Sequence, residues 1–435
     1  MEVIIAAIIF LGTIFFIVTG IIDRAIAAIT GAILMVLFGV MDETTAFFSV
    51  DWNIITLLIG IWIIATYFNK TGIPSVLAVK VVELSKNKMA FFMSLIGLLA
   101  GFLSTFLDNV IVVLMMAPII VPFIKSMKLK ATPFILFAAL SANFMGTALL
   151  LGDLPPQMLH SVTGIEFTEF IWQFNRPSSF PILTATFILT VLFLYIFKFK
   201  KEFLHVKVDR LGKGSLDSKI KDRKFALIVV MIFMLTITAM ALRQFIGVKL
   251  GFIAIAGAVV LMVTLEALGR WIRKPSFGEI LLDMDWKAVF FYISLFILVG
   301  GIENAGLIKL IADSLSPVLI KPVLGPTILY WTTLPIVGIV EHDAYILTFL
   351  HIIKDLPAGI NPWPYYWVLL WAGTLGSNLT MVGAPALYVA LNICEKEDGK
   401  KVGMGEFFGY TIPFVISSSI INYTLAMAIW VLYPL

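Results

Sequence analysis

Four short stretches of this chain carry side chains able to bind ions or move protons, and each interrupts an otherwise apolar run. The first is Ser104-Thr-Phe-Leu-Asp108-Asn109. The second is Asn143-Phe-Met-Gly146-Thr147, followed closely by Gly152-Asp153-Leu-Pro155-Pro156. The third is Glu341-His342-Asp343. The fourth runs from Gly373 through Gly376-Ser377-Asn378-Leu-Thr380 to Gly383-Ala384-Pro385. A carboxylate at membrane depth costs about 3 kcal/mol even on lenient scales, so an acid kept there is a candidate site. Asp108 can also act as a helix cap, but a serine would cap at lower cost. Glycine and proline breaks free backbone groups, which a bilayer tolerates only around a wet cavity or inside protein. Freed carbonyls and helix C-termini favour cations, and helix N-termini favour anions.

The chemistry expected is therefore binding of a small ion or polar solute. Its candidates are Ser104, Asp108, Asn109, Asn143, Gly146, Thr147, Asp153, Asp343, Ser377, Asn378 and Thr380. Proton coupling falls to Asp108, Glu341, His342 and Asp343, because imidazole titrates near neutral pH. Oxygens of Asp108, Asn109 and Asn378 suit Na⁺. No catalytic residue is expected. Neither a Ser-His pair nor a His-Glu-x-x-His stretch occurs, and Leu151-Gly152-Asp153 lacks the first glycine of an intramembrane aspartyl protease. With a phosphate-binding loop also missing, the chain is not read as an ATP-driven pump. A channel is the remaining rival, and saturable, gradient-coupled uptake would exclude it.

The elements that must position these residues follow from composition. Of 435 residues, 60% are hydrophobic and 13% charged, about half the charge of a soluble globular chain. That implies an all-α polytopic membrane protein with the lipid bilayer as its main partner. One cysteine, Cys394, rules out an intrachain disulfide, and the four histidines show no zinc-ligand spacing. No cofactor is expected beyond Na⁺ or H⁺ as coupling ion, and no nucleic-acid partner. The first apolar run lacks a basic flank and a cleavage site, and reads as a retained helix.

Apolar runs of membrane-crossing length fall at 3–19, 24–40, 52–69 and 179–199, then at 225–245, 250–269, 286–304 and 409–432. Residues 73–86 read as an interfacial amphipathic helix. Residues 89–124 and 326–356 read as re-entrant hairpins with limbs of about 15 residues, too short to cross. Broken helices occupy 131–158 and 364–394. Asp51-Trp52 recurs as Asp285-Trp286, Asp108 as Asp343 and Gly152 as Gly383, at offsets of 231 to 235 residues. Such internal similarity marks duplication. The expected organisation is a first repeat over 1–200, a basic linker over 201–224 and a second repeat over 225–435. Each repeat has five transmembrane helices, one of them broken, plus one hairpin, and an odd number of crossings inverts the second copy. Placing the linker in the cytoplasm puts 25 of 31 Lys and Arg residues inside, so both termini are expected outside a multi-pass cell-membrane protein.

These residues resemble the ion transporter superfamily of sodium/proton antiporters, arsenite permeases, the P protein and divalent-anion/sodium symporters. The resemblance lies in Phe102–Ile119, Asn143–Pro156, Leu295–Leu307 and Gly376–Pro385, and covers nearly the whole chain. It implies an elevator-type secondary transporter, often a homodimer, in which hairpins and broken helices move against a scaffold of the remaining helices. Because Asp108, Asp153 and Asp343 make the site anionic, Na⁺/H⁺ exchange is the favoured expectation. Coupled transport of arsenite or of an inorganic or carboxylate anion is the alternative.

Overall fold

The computed structural model describes residues 2–85, 88–204, 220, 222–269, 271–340, 342–357, 359–381 and 383–432. Among them, twenty helical runs of six or more residues fall into two sets of ten. The first set is α1 (Glu2–Thr19), α2 (Arg24–Leu37), α3 (Glu43–Ser49), α4 (Trp52–Lys70), α5 (Ile73–Leu84), α6 (Met89–Ser104), α7 (Asn109–Ser126), α8 (Thr132–Gly146), α9 (Leu154–Thr163) and α10 (Ser179–Leu194). The second set is α11 (Arg223–Ala241), α12 (Leu250–Ala267), α13 (Phe277–Leu282), α14 (Trp286–Asn304), α15 (Leu307–Leu319), α16 (Leu324–Val337), α17 (His342–Lys354), α18 (Trp363–Ser377), α19 (Pro385–Asp398) and α20 (Met404–Ala426). Each helix has its counterpart ten places on. Local chemistry repeats as well as order. Asp51 caps α4 through Asn53 and Ile54, and Asp285 caps α14 through Ala288. The indole N–H of Trp52 donates to the Phe47 carbonyl (3.1 Å), and that of Trp286 donates to the Leu281 carbonyl (2.9 Å).

Among the described residues, eight helices are long and apolar enough to cross a membrane. Three departures from the sequence expectations stand out. The run 24–40 is helical only to Leu37, where Gly39 turns the chain at φ +69°, leaving 14 helical residues. Helix α7 has 18 residues rather than about 15, so length alone does not bar it from crossing. The second half also contains an amphipathic helix, α15, at the place α5 holds in the first. A two-residue ribbon, Trp172–Gln173 paired with Arg176–Pro177, turns through Phe174 and Asn175, both at positive φ.

Packing divides the helices into two groups. In a frame, α4 lies along α12 and α2 along α14, with α1 and α11 beside them. In an inner group, α6 and α7 pack on α8, α16 and α17 pack on α18, and α19 leans on α7 and α8. Helices α10 and α20 pack on each other and on this inner group, so they belong with the broken helices rather than with the scaffold. Between the groups, contact is made chiefly by α4 with α7 and α9 and by α14 with α17.

Polar contacts collect at the two ends of the bundle. One end holds Lys70–Asp283 (2.6 Å), Lys287–Asp23 (3.0 Å) and Lys125–Glu397. There Asp398 caps α8 from the other half of the chain, accepting from Ala131 N (3.0 Å), Thr132 N (3.1 Å) and Thr132 Oγ1 (2.6 Å). Partial burial would raise the Asp398 pKa, but the bonds from Thr132 and Ala131 outweigh it and hold it below the ordinary carboxylate value. A lowered folded-state pKa stabilises above the unfolded value, and that contribution disappears as pH falls through the folded one. Asp398→Ala is expected to cost about 1–2 kcal/mol, read as a lower melting temperature in detergent at neutral pH. An unchanged melting temperature would show the cap to be dispensable. The opposite end holds Arg243–Glu166 (3.0 Å), Glu303–His351 (3.0 Å) and the Ser161 hydroxyl donating to Asp51.

Candidate functional site

The break between α6 and α7 takes four residues. Ser104 Oγ donates to the Leu107 carbonyl, and Asp108 Oδ1 accepts from Val110 N (3.0 Å) and Ile111 N (3.1 Å). Asp108 is therefore a cap, as one reading of the sequence required. It also lines a cavity of about 320 Å³ together with Asn109, Asp153, His342 and Asp343. One carboxylate thus caps α7 and faces the cavity.

Behind this cavity runs a buried polar network that joins the two halves. Asn109 Nδ2 donates to Asn143 Oδ1 (3.0 Å) and to Asp153 Oδ2 (3.0 Å). Asn143 Nδ2 donates to Ser377 Oγ (2.9 Å) and Asn378 Oδ1 (3.2 Å). Thr147 and Thr374 share a hydroxyl hydrogen bond of 2.6 Å. Asp153 Oδ1 accepts from Leu154 N and so starts α9. His342 Nε2 stands 3.3 Å from Asp343 Oδ1 and 3.9 Å from Asp153 Oδ2. His342 and Asp343 are each 1% exposed, though they come from the opposite hairpin. A buried polar network of this kind holds its members in one geometry, since any lost partner leaves a costly unpaired group.

The broken helices fit this arrangement because of two glycines. A methyl group on Gly152 would sit 2.0 Å from the Ser104 carbonyl oxygen and 2.6 Å from that of Gly146. On Gly383 it would sit 2.5 Å from the Ser377 carbonyl oxygen and 2.8 Å from that of Val337. Each break thus presses backbone to backbone on the end of its own hairpin limb.

Most residues singled out in the sequence meet here, though not all. Asp108, Asn109, Asp153, His342 and Asp343 line the cavity, and Asn143, Thr147, Ser377 and Asn378 form the network behind it. Gly146 gives Asp153 room, since a Cβ there would lie 3.1 Å from the Asp153 Cβ. Ser104 bonds within its own turn and Thr380 donates to the Gly338 carbonyl, so both shape hairpin ends outside the cavity lining. The three Na⁺ candidates are split: Asp108 and Asn109 face the cavity, while Asn378 lies behind with its oxygen accepting from Asn143. Among the described residues no group of three His, Cys, Asp or Glu is placed to hold a metal ion. Glu341 lies outside the described residues. Sequence reasoning missed the frame's share of the wall: Arg24, Trp62, Thr66, Asp283, Asp285 and Tyr292. Asp285 was visible as a repeat landmark and Arg24 as a topological charge, but neither showed as a wall residue.

Comparison with known proteins finds transporters. The family model described as "Citrate transporter" matches residues 14–372. An uncharacterised transporter of Mycobacterium bovis is 25% identical over 89% of each chain. The P protein of Sus scrofa is 24% identical over 97% of this chain and 59% of its own length. In fold, the YdaH transporter of Alcanivorax borkumensis superposes with a TM-score of 0.53 over 86% of each chain, at 13% identity.

Proposed function

The chain belongs to the citrate transporter family, and from that premise we propose that it is an ion-coupled secondary transporter in which Na⁺ and H⁺ exchange at the Asp108–Asp153–Asp343 cluster. One observation carries the reading: three carboxylates and an imidazole, drawn from both halves, converge on a single cavity inside the bilayer-spanning bundle. His342 beside Asp343 and Asp153 gives a proton a place to go when a cation occupies the acids. The Mycobacterium bovis relative and the matching family are both named as transporters. A second reading, coupled movement of a carboxylate anion, draws support from the family's own description; an inorganic anion or arsenite falls under the same head.

The proposal extends to the motion. The ten-by-ten pairing of helices supports two inverted repeats split by the 201–224 segment. Weak contact between frame and inner group supports an elevator-type shift of the inner group, in a homodimer. Lys70, Lys125 and Lys287 cluster at the end where the cavity's Arg24, Asp283 and Asp285 lie. That clustering supports a cytoplasmic opening, with both termini outside. At the far end, Arg243–Glu166, Asp51–Ser161 and Glu303–His351 join the frame to the inner group, as a closed outer face requires.

Purified protein in liposomes decides between the readings. With an imposed pH gradient, exchange predicts Na⁺ movement that collapses when the gradient is dissipated. Citrate uptake driven by either cation gradient, without net Na⁺/H⁺ exchange in its absence, would replace the first reading with the second.

A further inference from the structure

Arg24 is the first residue of α2 and lines the same cavity as the site acids. Its guanidinium sits over the Phe291 ring, 5.3 Å from the centroid. Its acidic neighbours are all engaged elsewhere. Asp23 pairs with Lys287 (3.0 Å), Asp283 with Lys70 (2.6 Å), and Asp285 accepts from Ala288 N (3.1 Å). Deeper in the cavity, Asp108 accepts from two backbone N–H groups and Asp153 from Asn109 and Leu154. Among the described residues the Arg24 side chain makes no hydrogen bond or ion pair. Stacking on a ring holds the planar fork in place without using any of its five N–H donors. A structural arginine in a cavity this acidic would take one of those carboxylates.

We infer that Arg24 recognises an oxyanion cargo, a carboxylate or an inorganic oxyanion, and does so only while the cavity faces the end of the bundle where Arg24 lies. The fork geometry suits an oxyanion bound through two parallel N–H bonds. This rests on the transporter reading above and selects within it. The acids belong to the inner group and Arg24 to the frame, so a shift of the inner group leaves Arg24 behind. An oxyanion then meets acids that would repel it unless Na⁺ or H⁺ has already neutralised them, and Arg24 supplies the remaining attraction. Arg24 thereby sets affinity on one side of the membrane and not on the other.

The test uses full-length protein in liposomes with transport measured from each face, together with Arg24→Gln and Arg24→Lys. The probes are citrate, succinate, sulfate and phosphate, each with Na⁺ and at two pH values. KM for the preferred oxyanion is expected to rise about ten- to a hundredfold in Arg24→Gln from the Arg24 face alone. Arg24→Lys should recover part of that loss, and a purely structural role would not produce a one-sided change. Citrate and succinate against sulfate and phosphate tell the two oxyanion sources apart. Equal KM values for wild type and Arg24→Gln from both faces would overturn the inference. So would a wild type that exchanges Na⁺ for H⁺ but moves none of the four probes, and that outcome leaves the exchange reading standing. Transport unaffected by Asp153→Asn would instead remove the reading beneath it.

Discussion

Asp153→Asn abolishes gradient-driven transport, with a loss of about a hundredfold or more, while the protein still folds. The physical basis is that the Asp153 carboxylate bonds both neighbours, Asn109 through Oδ2 and the start of α9 through Oδ1. His342 approaches from the other half at 3.9 Å. An amide is nearly isosteric, so packing survives. It cannot bind a cation strongly or accept a proton, and one of its faces now presents an N–H to the Asn109 amide. Losing a charged hydrogen-bond partner in a buried site costs about 2–3 kcal/mol, or about a hundredfold at 1.4 kcal/mol per decade. Two measurements check it: counterflow in liposomes, and the melting temperature in detergent. Normal transport by a normally folded Asp153→Asn protein would remove the acid cluster from the mechanism.

Gly152→Ala acts on stability rather than on charge, and its expected cost is about 3 kcal/mol or more. The added methyl would lie 2.0 Å from one carbonyl oxygen and 2.6 Å from another, both backbone, so no flexible side chain can yield. Either the α6 end retreats, taking Asp108 with it, or the α8–α9 turn opens and Asp153 leaves Asn109. Gly383→Ala should be milder, since its closest approaches are 2.5 Å and 2.8 Å and its turn carries no carboxylate. Detergent melting curves of both variants report the order. A Gly383→Ala protein less stable than Gly152→Ala would contradict this account of how the breaks are held.

How far the sequence carried depended on whether a signal was local. The broken helices, the helix breaks at Asp108 and before His342, and the Asp-Trp landmarks were legible because Gly, Pro and polar clusters interrupt apolar runs at nearly fixed offsets. Asp108, Asn109, Asn143 and Asp153 were legible for the same reason, since each is costly where it stands. Boundaries followed less well where a single glycine decides them, as Gly39 does for α2. Arg24, Tyr292 and Trp62 were out of reach because nothing in their own segments marks them. They become wall residues only when α2, α4 and α14 pack side by side. The grouping of α10 and α20 with the inner helices was equally invisible, being a property of contacts 200 residues apart.

The twin breaks are not twins in chemistry. Where the first half presents Asp153 the second presents Ala384, and Asn109 answers to Ala344. Carboxylates are therefore shared unequally, Asp108 and Asp153 in the first half against Asp343 in the second, so loading from one face need not mirror loading from the other. Such lopsidedness has no power over where gradients come to rest, because that point is fixed by the ions outside. What it can set is the concentration at which each face half-saturates, and so how fast the same cycle turns in each direction.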